Sequence, residues 1–157
     1  MIRNVSEHDF WTCVEIAQRA WPTFMERPSI YHLFCKHFSD TSFMYEHDSA
    51  IAGFLLAFLS QTDKSVFYVH LVAVDPSYQG RGIATELYDR VFESARALGR
   101  PRVACIVNPD NDASLRLHTR LGFVIDPSGD VVMDHGVAAA RNYNGPGLHM
   151  VRFHKDL

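Results

Sequence analysis

Residues 66–85 read VFYVHLVAVDPSYQGRGIAT, and the interpretation of this stretch decides the fold. It opens as a nearly unbroken apolar run rich in β-branched and aromatic side chains, the pattern of a strand covered on both faces. Asp75-Pro76 ends the run, because proline has no N–H for a ladder and restrains its predecessor. Past Gln79-Gly80-Arg81-Gly82, the apolar positions Ile83, Leu87, Val91, Ala95 and Leu98 recur at helical spacing. A strand, a glycine-bearing loop and a helix start together make an anion cradle. The first N–H groups of a helix are unpaired and lie at the positive end of its dipole. Gly80 and Gly82 allow a ligand close to the main chain, and Arg81 adds charge.

The cradle is not a nucleoside-triphosphate loop, since no Gly-Lys-Ser/Thr follows. Thr85 stands where a dinucleotide fingerprint needs its third glycine, so nicotinamide redox work is disfavoured too. Gln79-Gly80-Arg81-Gly82-Ile83-Ala84 does fit Gln/Arg-x-x-Gly-x-Gly/Ala, a pyrophosphate-binding pattern. Downstream, Asn111-x-x-Ser114-x-x-x-His118-x-x-x-Gly122-Phe123 is similar to Asn-x-x-Ala/Ser-x-x-x-Tyr-x-x-x-Gly-Phe. With these two motifs in order, the chain resembles the GNAT superfamily of N-acetyltransferases from about residue 2 to residue 155. The resemblance implies an α/β (α+β) fold. Its centre is a mixed, mostly antiparallel twisted sheet of some six to seven strands, flanked by some four helices. It also implies acetyl-CoA as co-substrate and a primary amine of a small molecule or peptide as acceptor.

Composition agrees with one domain over residues 1–157 and a core of ordinary size. A net charge of −3 without any Lys/Arg run argues against a nucleic-acid surface. Cys13, Cys35 and Cys105 are odd in number and sit in apolar stretches, which suits buried thiols in a reducing compartment. No apolar run is long enough to span a membrane, so a cytoplasmic protein is expected. Oligomeric state is left open, a homodimer included.

In chain order, a short strand at 2–5 precedes a helix whose core face is Phe10, Val14, Ala17 and Trp21. Pro28 opens a second helix with Ile30, Leu33, Phe34 and Phe38 as its stripe. Strands at 42–46 and 50–59 and the central strand form an antiparallel meander. Gly99 closes the helix over 82–98, a parallel strand follows at 102–107, and a helix over 110–121 stops at Gly122. A strand begins at 123–125, and the last strand spans 148–154. Residues 126–147 hold two turn-like clusters around Val131–Arg141. Twenty residues of pure loop are unusual, so Val131–Met133 or Val137–Arg141 is expected to form something short.

The resemblance distributes roles. Backbone N–H groups at Gln79, Gly80, Arg81, Gly82, Ile83, Ala84 and Thr85 would grip the diphosphate. Main-chain groups of Val72, Ala73 and Val74, beside a bulge, would bind the pantetheine arm and polarise the thioester carbonyl. Asn111 would contact the pantetheine amide with Ser114 beside it, since 111, 114 and 118 share one helical stripe. His118 replaces the tyrosine that protonates the departing sulfur; it is either that proton donor or a satisfied core histidine. Tyr88 and Tyr143 are the fallback donors. Tyr68 occupies the position where some members carry a glutamate base, which makes His70, two residues on, the substitute base or a pocket wall. Trp21, Phe24 and Met25, in a loop rich in large apolar groups, either pack down on the core or line the acceptor pocket with Tyr68 and His70. Nine histidines show no ligand spacing, so no metal is expected, and no cysteine has an identifiable histidine partner. Direct transfer in a ternary complex is the expected mechanism. The alternative is a non-catalytic acyl-CoA-binding sensor of the same fold, kept open by the absent tyrosine and glutamate.

Overall fold

The computed structural model describes residues 1–23 and 26–157, so the expectations for Phe24 and Met25 lie outside the described residues. The first half comprises β1 (Ile2–Asn4), α1 (Phe10–Ala20), α2 (Pro28–His37), β2 (Phe43–His47), β3 (Ala50–Leu59) and β4 (Val66–Val74). The second half comprises α3 (Ile83–Ala97), β5 (Arg102–Val107), α4 (Asp112–Arg120), β6 (Val124–Ile125), β7 (Val131–Asp134), β8 (Val137–Ala140) and β9 (Val151–Asp156).

Seven strands join in the order β1-β2-β3-β4-β5-β9-β6. The β2-β3-β4 meander is antiparallel, and β4–β5 is a parallel pair, the arrangement a crossover helix such as α3 allows. Alternate residues of each strand point to opposite faces, and the core divides accordingly. Leu55, Phe67, Val69 and Val103 pack with Ile83, Leu87 and Val91 of α3 on one face. Phe54, Leu56 and Ala73 pack with Val14, Ile16, Tyr31 and Phe34 of α1 and α2 on the other. Leu87 is wholly buried, worth about 1.5–3 kcal/mol of transfer free energy.

Two irregularities in β4 set up everything that follows. Leu56 pairs with Leu71 but Ala57 pairs with Val69, so His70 is an extra residue, a bulge against β3. Parallel pairing with β5 joins Val66, Phe67 and Tyr68 to Arg102, Val103 and Ala104, and then stops. β4 continues to Val74 and β5 to Val107 without pairing, so the sheet opens into a wedge between them.

The last third departs from the sequence expectation. Both candidate segments of 126–147 become strands, β7 and β8, pairing with each other as a separate two-stranded sheet. His135 (φ 47°) and Gly136 (φ 77°) make the turn, with the two positive φ values that a tight hairpin favours. The closing strand β9 starts at Val151 instead of 148.

Gly53 of β3 lies against β4 so closely that a Cβ there would meet the Ala73 carbonyl oxygen at 2.8 Å. Because that neighbour is backbone, Gly53→Ala must push β3 and β4 apart. The expected cost is about 1–3 kcal/mol, read as a fall of several degrees in Tm. An unchanged Tm would show that β4 has room to move.

Candidate active site

The cradle forms as a sharply defined bend. Asp75 ends β4 and accepts from the Ser77 backbone N–H and hydroxyl, at 2.9 and 2.6 Å. Arg19 of α1 reaches the same carboxylate at 2.8 Å. The hydroxyl bond foremost, with Arg19 assisting, holds Asp75 below the ordinary carboxylate range. Gly82 is the N-cap of α3 in the left-handed region, φ 82°, and no side chain caps the helix. A Cβ at Gly80 or Gly82 would meet nothing within 4 Å. The first turn of α3 therefore offers uncapped N–H groups over open space, which fits a diphosphate. Gln79 turns its amide back onto the Val74 carbonyl, 3.1 Å, and Arg81 lies over the Tyr78 ring at 5.2 Å. Val72, Ala73 and Val74 belong to the edge of β4 that β5 leaves unpaired. That edge can bond an extended chain of amides such as pantetheine.

Tyr68 and His70 share the face of β4 turned to α1 and α2, since the bulge falls at His70 itself. The Tyr68 ring packs on Phe58 at 5.2 Å, and the His70 ring stacks on Phe34 at 4.8 Å with 8° between planes. His70 Nε2 lies 2.8 Å from Glu26 Oε1, in the segment between α1 and α2. An ionised carboxylate only accepts, so Nε2 carries the proton and donates, leaving the Nδ1 lone pair for other work. The sequence reading sought a glutamate on β4 itself and missed Glu26. Its signal was a lone acid in an apolar loop. Trp21 packs against the core on the same side.

Beside these residues a groove of ≈ 180 Å³ crosses the sheet face from Tyr68 over Ala104 and Ile106 to Arg152, with Tyr143 on its rim. Tyr143, from the segment that sequence left unassigned, thus reaches the same groove as Tyr68. Burial pushes the Tyr68 phenol above its usual range, so it stays protonated at neutral pH. Cys105, also at the groove, is a thiol pushed up to about 12 by burial. It is no ready nucleophile.

His118 is placed differently from the expectation of a proton donor in the cleft. It is only 2 % exposed, flat against Phe153 and edge-on to Phe123. Nδ1 donates to the Ser114 carbonyl at 2.7 Å, so Nε2 accepts from the Tyr88 hydroxyl at 2.6 Å. Both ring nitrogens are engaged, and burial lowers the imidazole pKa. Tyr88 is enclosed with it, 1 % exposed. The Asn111 side chain caps α4 by accepting from Ser114 N–H at 3.1 Å, and Ser114 Oγ lies 3.3 Å from His118. Among the described residues no cluster of three metal-binding side chains occurs, and no helix is long and apolar enough to cross a membrane.

A sequence model of the acetyltransferase (GNAT) family matches residues 10–123. L-2,4-Diaminobutyric acid acetyltransferase of Vibrio parahaemolyticus is 30% identical over 95 residues, 60% of this chain and 52% of that protein. The L-amino acid N-acyltransferase MnaT of Escherichia coli is 39% identical over 56 residues, 36% of this chain and 33% of that protein. The chain thus spans about half the length of the diaminobutyric acid acetyltransferases it matches. Diaminobutyrate acetyltransferase from Paenibacillus lautus, solved with its diamino acid and coenzyme A, has the same fold. Its TM-score is 0.77 at 21% identity, over 99% of this chain and 94% of that one.

The enclosure of His118 has a pH signature. Its folded pKa is depressed, so as pH falls below the unfolded value of about 6.5 the unfolded chain takes a proton that the folded state refuses. His118 therefore causes stability to be lost in that direction. Chemical denaturation of His118→Gln at pH 7 and pH 5 should give a destabilised variant whose deficit against the parent narrows at pH 5. A constant deficit would mean that the buried imidazole already titrates freely.

Proposed function

From the premise that the chain belongs to the acetyltransferase (GNAT) family, we propose that it is an acetyl-CoA-dependent N-acetyltransferase acting directly on a primary amine. One observation carries the reading: the unpaired edge of β4 leads straight into the uncapped start of α3. An extended amide chain and a diphosphate would be held end to end along that path. Bound there, acetyl-CoA would supply an activated thioester. The N–H groups of Ile83, Ala84 and Thr85 would hold the diphosphate; on β4 the N–H groups of Val72 and Val74 would hold the arm and the thioester oxygen, since the Ala73 N–H faces β3 in register with Phe54. The relatives named for amino-acid acceptors support a small amine.

His70 is the proposed base. Glu26 orients the ring and balances the charge it would gain on taking the amine proton through Nδ1. The phenols of Tyr68 and Tyr143 are the groove's candidates for returning a proton to the departing sulfur. Asn111 and Ser114 are assigned to α4 capping and to holding His118, which we place in the core. The non-catalytic sensor reading is weakened by the Glu26–His70 pair, a candidate base at the mouth of the wedge where β4 carries no glutamate. Three free, buried thiols support the cytoplasmic location, and the net charge of −3 gives nucleic acid no general surface.

Acetyl-CoA should raise Tm, and an amine panel should release thiol in its presence. A thermal shift without turnover on any amine would return the chain to the sensor class. His70→Gln and Glu26→Gln should each lower kcat by about 10²-fold, with the KM for acetyl-CoA unchanged. His118→Gln should instead lower Tm and leave kcat of the folded protein within about threefold. The reverse pattern would put His118 back in the chemistry.

A further inference from the structure

Two of the three thiols meet. Cys13 of α1 and Cys35 of α2 stand twenty-two positions apart in the chain, yet their sulfurs lie 4.0 Å from one another. Met44 of β2 closes the third side, its Sδ 3.8 Å from the Cys13 sulfur. Cys13 and Cys35 are 0% and 1% exposed, and both are free. Cys105 packs in the core on the other face of the sheet. A single buried cysteine behaves as a small hydrophobe and needs no further account. Two that face each other across a helix pair are one bond from a cross-link. A disulfide spans about 2.05 Å, so closure asks each sulfur to travel only about 1 Å. A rotation about χ1 and a slight approach of the helices cover that distance.

The loop that such a bond would close carries the acceptor side of the proposed site. Between the two cysteines lie Trp21, Glu26 and Phe34. Glu26 meets His70 at 2.8 Å, and Phe34, the neighbour of Cys35, stacks on the same imidazole at 4.8 Å. On one side of the thiol pair, α1 is fastened to the end of β4 by Arg19 and the buried Asp75, at 2.8 Å. On the other side, α2 is held by Glu7, which pairs with His32 and Lys36 at 2.9 Å, all three side chains about half exposed. Exposed pairs of that kind contribute little, so α2 is the partner that yields when the sulfurs approach. Local opening of that helix also admits a small oxidant. Hydrogen bonds weaken steeply with misalignment, and a shift near 1 Å at a catalytic contact costs about 10²-fold in rate.

We infer that Cys13 and Cys35 are a redox-sensitive pair, joined as a disulfide by hydrogen peroxide, and that the bridge lowers turnover by drawing Glu26 and Phe34 off His70. One cysteine, as its thiolate, attacks a peroxide oxygen: an S–O bond forms, the O–O bond breaks, and the departing oxygen leaves as water. The second sulfur attacks the first, the S–S bond forms, and the sulfenic oxygen leaves as a second water. Both thiol protons end in those waters, and the peroxide takes the two electrons that the sulfurs lose. In a reducing compartment such a bond is transient, which suits regulation better than structural support. Formation of the bridge stands apart from the acetyltransferase reading; only its effect on turnover rests on that reading.

The test treats the reduced full chain with hydrogen peroxide, at a dose that oxidises the exposed Met133, and then removes the peroxide. Peptide mass spectrometry should find Cys13 and Cys35 in one cross-link and Cys105 as a free thiol. Thiol release from acetyl-CoA with an accepted amine should fall by about tenfold or more, while coenzyme A binding by calorimetry stays within about threefold. Dithiothreitol should restore turnover, and Cys35→Ala should keep its turnover through the same treatment. No cross-link once Met133 is oxidised would overturn the inference. So would a cross-link that leaves turnover and the His70 ring resonances in NMR unchanged, or a loss of turnover that persists in Cys35→Ala. If that variant fails to fold, reversal by dithiothreitol in the parent protein decides alone. A reduced protein that turns over no amine would remove the acetyltransferase reading, and the cross-link with the His70 resonances would still judge the bridge.

Discussion

A strand has two hydrogen-bonding edges, and from Val69 onward β4 spends only one of them on the sheet. This single constraint governs the molecule. Unmet backbone donors and acceptors are expensive once buried, so an edge of this length must face water or an extended polar ligand. The fold achieves the opening without losing cohesion, because β3 pairs with β4 all the way to Val74. The bulge at His70 raises the local twist, and β5 diverges where that twist accumulates. The same bulge holds His70 and Leu71 toward one layer of helices, so the proposed base and the proposed cofactor path meet at the mouth of the wedge.

The end of β4 is also tied to elements outside the sheet. Arg19 ties α1 to Asp75 at the end of β4, and the aspartate in turn fixes the bend before the cradle. The segment between α1 and α2 then delivers Glu26 to His70. The proposed cofactor grip and acceptor pocket therefore share one mechanical frame. The exposed half of Arg19 limits what that ion pair contributes alone, so its value lies in geometry more than in stability.

How much of this was legible in the sequence follows from the range of the interactions. The central strand, the cradle and its helix are local, written in apolar periodicity, a proline stop and two glycines, and they were readable. The β7–β8 hairpin was half readable. Asp134-His135-Gly136-Val137 carries a turn signal, but two four-residue strands are short enough to pass for loop. The bulge at His70 depends on a register slip against β3 and leaves no mark in composition. The Glu26–His70 contact spans forty-four positions, and Arg152 meets its groove through strand order, so neither pairing could be read from spacing.

At His118 the motif position is kept while the side chain is built into the core. The α4 stripe that suggested a catalytic side chain is real, yet Tyr88 and Ser114 take both imidazole nitrogens and seal the ring against Phe153. Losing an acid there costs the chemistry less than losing a base. A thiolate of pKa about 8.5 is protonated readily near neutrality, by a phenol or by water. An amine, by contrast, arrives largely as its ammonium ion and cannot attack until a proton leaves. The harder step lies on the amine side, and the proposed function assigns it to the carboxylate–imidazole pair at the bulge where β4 carries an extra residue.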